Sequence, residues 1–156
     1  MGTSASLVAA LILSSKLVEV FEGFVATPYY CAGGYCTQGF GTVNKPDGTQ
    51  VKPTDPPITV ETARAWMKSE LQNNYMAGVL RASPVLIKHP DALAAMTSFA
   101  YNLGVPRYRS STLKRKIDAE DWDGARQELA KWVYGGGRKL PGLVKRRATE
   151  ARLLPK

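Results

Sequence analysis

Between two stretches that read as helix lies a segment, residues 24–58, that reads quite differently. The strand formers Tyr29, Tyr30, Tyr35, Thr37, Phe40, Thr42 and Val43 are punctuated by Gly33-Gly34, Gly39, Gly41 and Asp47-Gly48. Aromatic and β-branched side chains suit a pleated surface, while glycine admits the positive φ that tight turns need. Two or three short antiparallel strands joined by glycine turns are therefore expected. Pro53, Pro56 and Pro57 end the section and exclude regular structure there.

The flanks carry helical spacing. Upstream, Ala5 to Phe21 places Leu7, Leu11, Leu17 and Phe21 at roughly helical intervals, with Ser14-Ser15 as a candidate break. The apolar run Leu7 to Leu13 is far short of the ~20 residues that a membrane span needs, and it lacks a signal peptide's basic flank. It reads as the buried face of a first helix, or as the remnant of a longer hydrophobic segment. Gly23 directly follows Glu22, where helices commonly stop in a left-handed conformation. Glu22 thus sits at a helix C-terminus, an unfavourable place for a negative charge.

Downstream, Thr59 is a candidate N-cap for a helix whose apolar stripe is Ala63, Trp66, Leu71 and Tyr75. Asp91 is expected to cap an apolar helix through Ala95, Met96, Phe99, Ala100 and Leu103, closed by Gly104. Ser111 is expected to cap a short helix bearing Leu113 and Ile117. Trp122, Ala125, Leu129, Trp132 and Val133 form another stripe, ended by Gly135-Gly136-Gly137, and Leu143 to Leu154 is a last basic helix with Arg146 and Glu150 as an i,i+4 pair. The fold class is α+β, mostly α: a small β region inserted between a leading helix and a helical body.

Charge narrows the partners. The chain of 156 residues has a formal net charge of +8, and the excess is confined to residues 107–156. Such a field draws a protein toward a polyanion, whether nucleic acid, anionic lipid or bacterial wall. No nucleic-acid motif is present, and no basic run exceeds Lys145-Arg146-Arg147. Cys31, Cys36 and the single His89 cannot supply four zinc ligands in a usual spacing, so no metal and no cofactor is implied.

The informative stretch is Glu22 to Thr42, EGFVATPYYCAGGYCTQGFGT. A helix ends at a carboxylate, and a glycine-rich hairpin then brings Cys31 and Thr37 back past it. This stretch resembles the active-site segment of the phage lysozymes, glycoside hydrolase family 24, in the subset with Cys where most members carry Asp. A second region also resembles the family: Asn102-Leu103-Gly104, Ser111-Thr112-Leu113, Trp132, Gly142-Leu143, Arg146-Arg147 and Glu150. The resemblance implies one catalytic, lysozyme-like domain over residues 1–156. Its β lobe would span about 24–58 and its helical lobe 59–156, with the N-terminal helix packed on the latter. One departure besides Cys31 stands out: many members continue Gly-x-Gly-His, whereas this chain has Gly39-Phe40-Gly41-Thr42, losing a possible ion-pair partner near the cleft.

Glycoside cleavage needs a proton for the leaving oxygen and help at the anomeric carbon. The resemblance implies that Glu22 is the general acid, that Cys31 and Thr37 hold a water, and that Tyr30 and Asn102 contact the saccharide. Cys31 would orient water as a neutral thiol or act as thiolate. The implied protein is a monomeric endolysin acting on the β-1,4 bond between N-acetylmuramic acid and N-acetylglucosamine of peptidoglycan. It would work in the host periplasm or wall after export from the cytoplasm, held near the anionic envelope by its basic third. Competing readings are a lytic transglycosylase on the same bond, a Cys31 enzyme with His89 as base, and a basic nucleic-acid or membrane module. Arg146 and Arg147 read as a solvated or ion-paired helix face, His89 as an exposed loop residue, and the tryptophans as core. Cys31 and Cys36 flank a flexible turn, so an inhibitory disulfide latch stands beside two thiols that never bond.

Overall fold

The computed structural model describes residues 2–156. A long helix α1 (Gly2–Glu22) leads into the strands β1 (Val25–Tyr30) and β2 (Cys36–Gly39). A helical body follows: α2 (Val60–Glu70), a π-helical segment Leu71–Met76, α3 (Ala77–Ala82), α4 (Pro90–Leu103), α5 (Val105–Ser110), α6 (Thr112–Asp118) and α7 (Trp122–Leu129). A small hairpin of β3 (Tyr134–Gly135) and β4 (Arg138–Lys139) then precedes α8 (Pro141–Arg152). The expected class, mostly helical with a small antiparallel sheet, is the one observed.

Local chemistry explains most boundaries. Thr59 caps α2 by accepting from the Thr62 amide at 3.1 Å, and Ser111 caps α6 by accepting from the Lys114 amide at 3.0 Å, both as expected. Ser14-Ser15 does not break α1. Both hydroxyls donate to the Leu11 carbonyl, at 3.1 and 2.8 Å, and so satisfy themselves within the helix while buried. Asp91 is not a cap either: α4 starts one residue earlier, at Pro90, whose missing amide is one that a helix start leaves unpaired anyway. The hairpin β3–β4 lies where the sequence reads only as a glycine break.

In the sheet, β1 and β2 pair antiparallel with Tyr29 opposite Thr37 and Tyr30 opposite Cys36. The third strand is reduced to single bridges, Gln38 with Thr42 and Asn44 with Gln50. Buried Gln38 ties the hairpin down: its amide donates to the carbonyls of Ala26 and Pro56, both at 2.8 Å. The proline-rich segment is thus held without regular structure.

The main apolar core surrounds α4, where Leu93, Met96, Phe99 and Ala100 are fully covered and α1, the π-helical segment, α3, α5 and α8 pack against the helix. A second cluster of Val18, Phe40, Ala63, Met67 and Leu71 joins α1, the hairpin and α2. Trp122 and Trp132 pack on the main core, as expected of them. The run Leu7 to Leu13 is only partly the buried face expected, since Val8 and Ile12 remain exposed beside fully buried Ala10. Among the described residues, no helix is long and apolar enough to cross a membrane.

Candidate active site

Glu22 ends α1. Gly23 takes φ 71° and returns its amide to the Glu19 carbonyl at 3.2 Å, the helix stop that the sequence implies. Two neighbours distant in sequence bound the carboxylate. Arg146 of α8 donates to Oε1 at 2.7 Å. On the other side Gly41 packs against Oε2, and a Cβ at that position would lie 3.3 Å from it. The Arg146 side chain is 4% exposed and that of Glu22 25%, so the cation stands behind a carboxylate that reaches solvent. Glu22 opens into a groove of about 430 Å³ shared with Phe21, Asn102, Leu140, Leu143 and Arg146.

The hairpin approaches from the opposite side. The Cys31 thiol is held below its ordinary range, first by the hydrogen bond from the Tyr35 backbone and then by the Thr37 hydroxyl and Gly33, against an opposing effect of desolvation. Thr37 is buried and also donates to the Tyr35 carbonyl at 2.9 Å. Tyr29 links the two sides: its phenol is pushed up by burial, then by the negative charges of Glu22 and Cys31. Tyr30 stands on the strand end, 66% exposed.

Both cysteines are free thiols. Thr37 faces Cys31, and Cys36 precedes Thr37 on β2, so strand alternation sends the Cys36 side chain to the other face. A bond between the two sulfurs would require the turn to refold. His89 is not the loose residue expected. Its Nε2 lies 2.7 Å from Glu120 Oε1 and its ring packs edge-on against Trp122, and it is not among the groups acting on Cys31. No base for a Cys31–His89 pair is assembled in this conformation.

Arg146 and Arg147 differ most from the sequence reading. They are ion-paired but not solvated, at 3% and 1% exposure. Arg147 Nε meets Glu150 Oε2 at 2.9 Å, and its Nη2 donates to Glu150 Oε1 at 3.1 Å and to Asn102 Oδ1 at 2.9 Å. The Nε contact is close enough for an ion pair but not aligned as a hydrogen bond, and Nη1 is also unpartnered. Ser98 donates to Glu150 Oε1 at 2.8 Å, and its carbonyl accepts from Arg146 at 3.1 Å. Burial pushes Arg147 down to about 10, opposed by the charge of Glu150. Burial pushes Glu150 up, opposed by Arg147 and Arg146. With the two 2.9 Å apart, each supplies the counter-charge that the other needs. Asn102 lines the groove beside Glu22 with its carbonyl oxygen already committed to Arg147.

Sequence reasoning missed the role of Arg146. The i,i+4 spacing to Glu150 is real, at 3.5 Å, but spacing on α8 says nothing of Glu22. Glu70 was missed as well. It is 8% exposed and pushed up to about 7 by desolvation, against which the hydrogen bond from the Asn44 backbone works. Among the described residues, no group of three or more His, Cys, Asp and Glu gathers to hold a metal ion.

A carboxylate at a helix end, a hairpin bearing a thiol and a hydroxyl, and a helical body are together carried on a lysozyme-like α+β fold. The likeness extends over the whole chain. An endolysin of Escherichia coli O157:H7 phage FAHEc1 superposes with a TM-score of 0.76 at 25% identity, covering 92% of this chain and 94% of that one. The SAR-endolysin of Enterobacteria phage PA-2 is 47% identical, covering 96% of this chain and 86% of that protein. The endolysin of Acyrthosiphon pisum secondary endosymbiont phage 1 is 31% identical, covering 88% and 91% respectively. The phage lysozyme family model matches residues 19–150. This chain belongs to the phage lysozyme family, and it is a lysozyme.

Proposed function

We propose that this lysozyme is an endolysin that hydrolyses the β-1,4 bond between N-acetylmuramic acid and N-acetylglucosamine, with Glu22 as general acid. The observation that carries the reading is the placement of Glu22, a carboxylate reaching a groove with a buried cation behind it. The proton goes from Glu22 to the leaving oxygen, and the Arg146 guanidinium stabilises the carboxylate that this leaves. Cys31 and Thr37 take the second task. They make up the subset in which a thiol replaces the usual second carboxylate, and together they position the attacking water. Tyr30 and Asn102 flank the saccharide, with Asn102 offering its amide nitrogen because its oxygen is taken.

The domain is single over residues 1–156, and the site of action is the periplasmic face of the host wall. The basic last third favours the anionic envelope. Wall lysis should accordingly weaken as salt rises, and a salt-insensitive rate would remove that part. The central test is zymography on purified peptidoglycan. Glu22→Gln should abolish clearing, and clearing that survives would overturn the assignment. Mass analysis of the products separates hydrolysis from transglycosylation, since only the latter leaves anhydro-muramic ends.

A further inference from the structure

The face of Glu22 away from Arg146 is held by a route that the mechanism above does not use. Tyr101 of α4 donates its hydroxyl to the carbonyl of Phe40. The next residue, Gly41, has φ 81°, and a Cβ there would lie 3.3 Å from Glu22 Oε2 and 3.6 Å from Tyr101 Cε1. The Phe40–Gly41 backbone is therefore pressed between the Tyr101 ring and the carboxylate. Tyr75 backs this ring, with centroids 5.0 Å apart.

We propose that Tyr101 is a positioning residue for the reaction, holding the Phe40–Gly41 peptide against Glu22. The inference rests on Glu22 being the general acid. A fixed peptide wall leaves the carboxyl one direction in which to face the groove, and small losses of such alignment are costly.

Two variants test this with the purified enzyme and purified peptidoglycan. Tyr101→Phe keeps the ring and removes only the hydroxyl. It should lower kcat about tenfold and leave KM within about twofold, because ground-state binding is untouched. A Tyr101→Phe enzyme with a lower Tm but wild-type kcat would overturn the positioning role. Glu22→Gln separates this inference from the reading beneath it. If Glu22→Gln is inactive while Tyr101→Phe is unaffected, only the inference falls; if Glu22→Gln stays active, the general-acid reading falls too.

Discussion

The hairpin and α8 meet at Glu22, and they reach it by opposite means. The hairpin brings Cys31, Thr37 and Gly41 within a short span of chain, held by backbone bonds such as Cys31 to Tyr35 at 3.0 Å and by turns at glycine. Its functional groups are small and neutral or partly exposed, so placing them costs little desolvation. Helix α8 instead delivers Arg146 across 124 positions of sequence, and it does so with full charges taken out of water. Such charges are tolerable only as a closed network, which is why Arg147, Glu150, Ser98 and Asn102 come with it. One region is placed by backbone geometry, the other by charge satisfaction in the core. Substitutions in the first should touch activity before stability, and in the second stability before anything else.

The largest effect should follow from opening the α8 network. Glu150→Gln leaves the guanidinium of Arg147 buried beside a neutral amide and should destabilise the fold by about 3–5 kcal/mol in denaturant unfolding. A loss below about 1 kcal/mol would show that water enters the network, and would remove the contrast with the hairpin. Next comes Glu70, the buried carboxyl at the end of α2. Its folded value of about 7 lies above the ordinary 4.5, so its contribution to stability is complete below 4.5 and is lost as pH rises to about 7. Relative to Glu70→Gln, wild type should therefore lose up to about 3 kcal/mol across that window and change no further above it. Parallel unfolding curves for the two proteins from pH 4 to 8 would sink this prediction.

Gly41→Ala should cost about 1–2 kcal/mol from the positive φ alone. The added methyl would also press on Glu22 Oε2, so muralytic rate should fall further than stability does. Equal losses in both would mean that the peptide wall is only structural. The smallest effect on folding belongs to Cys31→Ser, which should move the unfolding midpoint by less than about 1 kcal/mol because the thiol is partly exposed and bonded to backbone. Its rate should nonetheless drop, and a fully active Cys31→Ser enzyme would detach the thiol from the chemistry.

Much of the hairpin was legible in the sequence because its signals are local. Glycines at Gly23, Gly39 and Gly41 all adopt positive φ, and the strands they flank pair antiparallel. Helix caps at Thr59 and Ser111 are equally local and were equally readable. What misled was polarity taken as solvation. Ser14 and Ser15 read as a break but bond to their own helix, and Arg147 read as surface but is 1% exposed. A single residue shows its type in the sequence and not its surroundings, so burial of a charge cannot be inferred without its distant partners.

By itself the sequence determined where α1 stops, and so put Glu22 at a helix end with a thiol and a hydroxyl returning on a glycine hairpin. Backbone preference acts over a few residues, and that range suffices for such features. Only the tertiary structure decided what surrounds the carboxylate: Arg146 at 2.7 Å on one oxygen and Gly41 on the other. These groups come from elements far apart in the chain. Which of them meet is set by how the helices pack and by the need to pair every charge that packing buries.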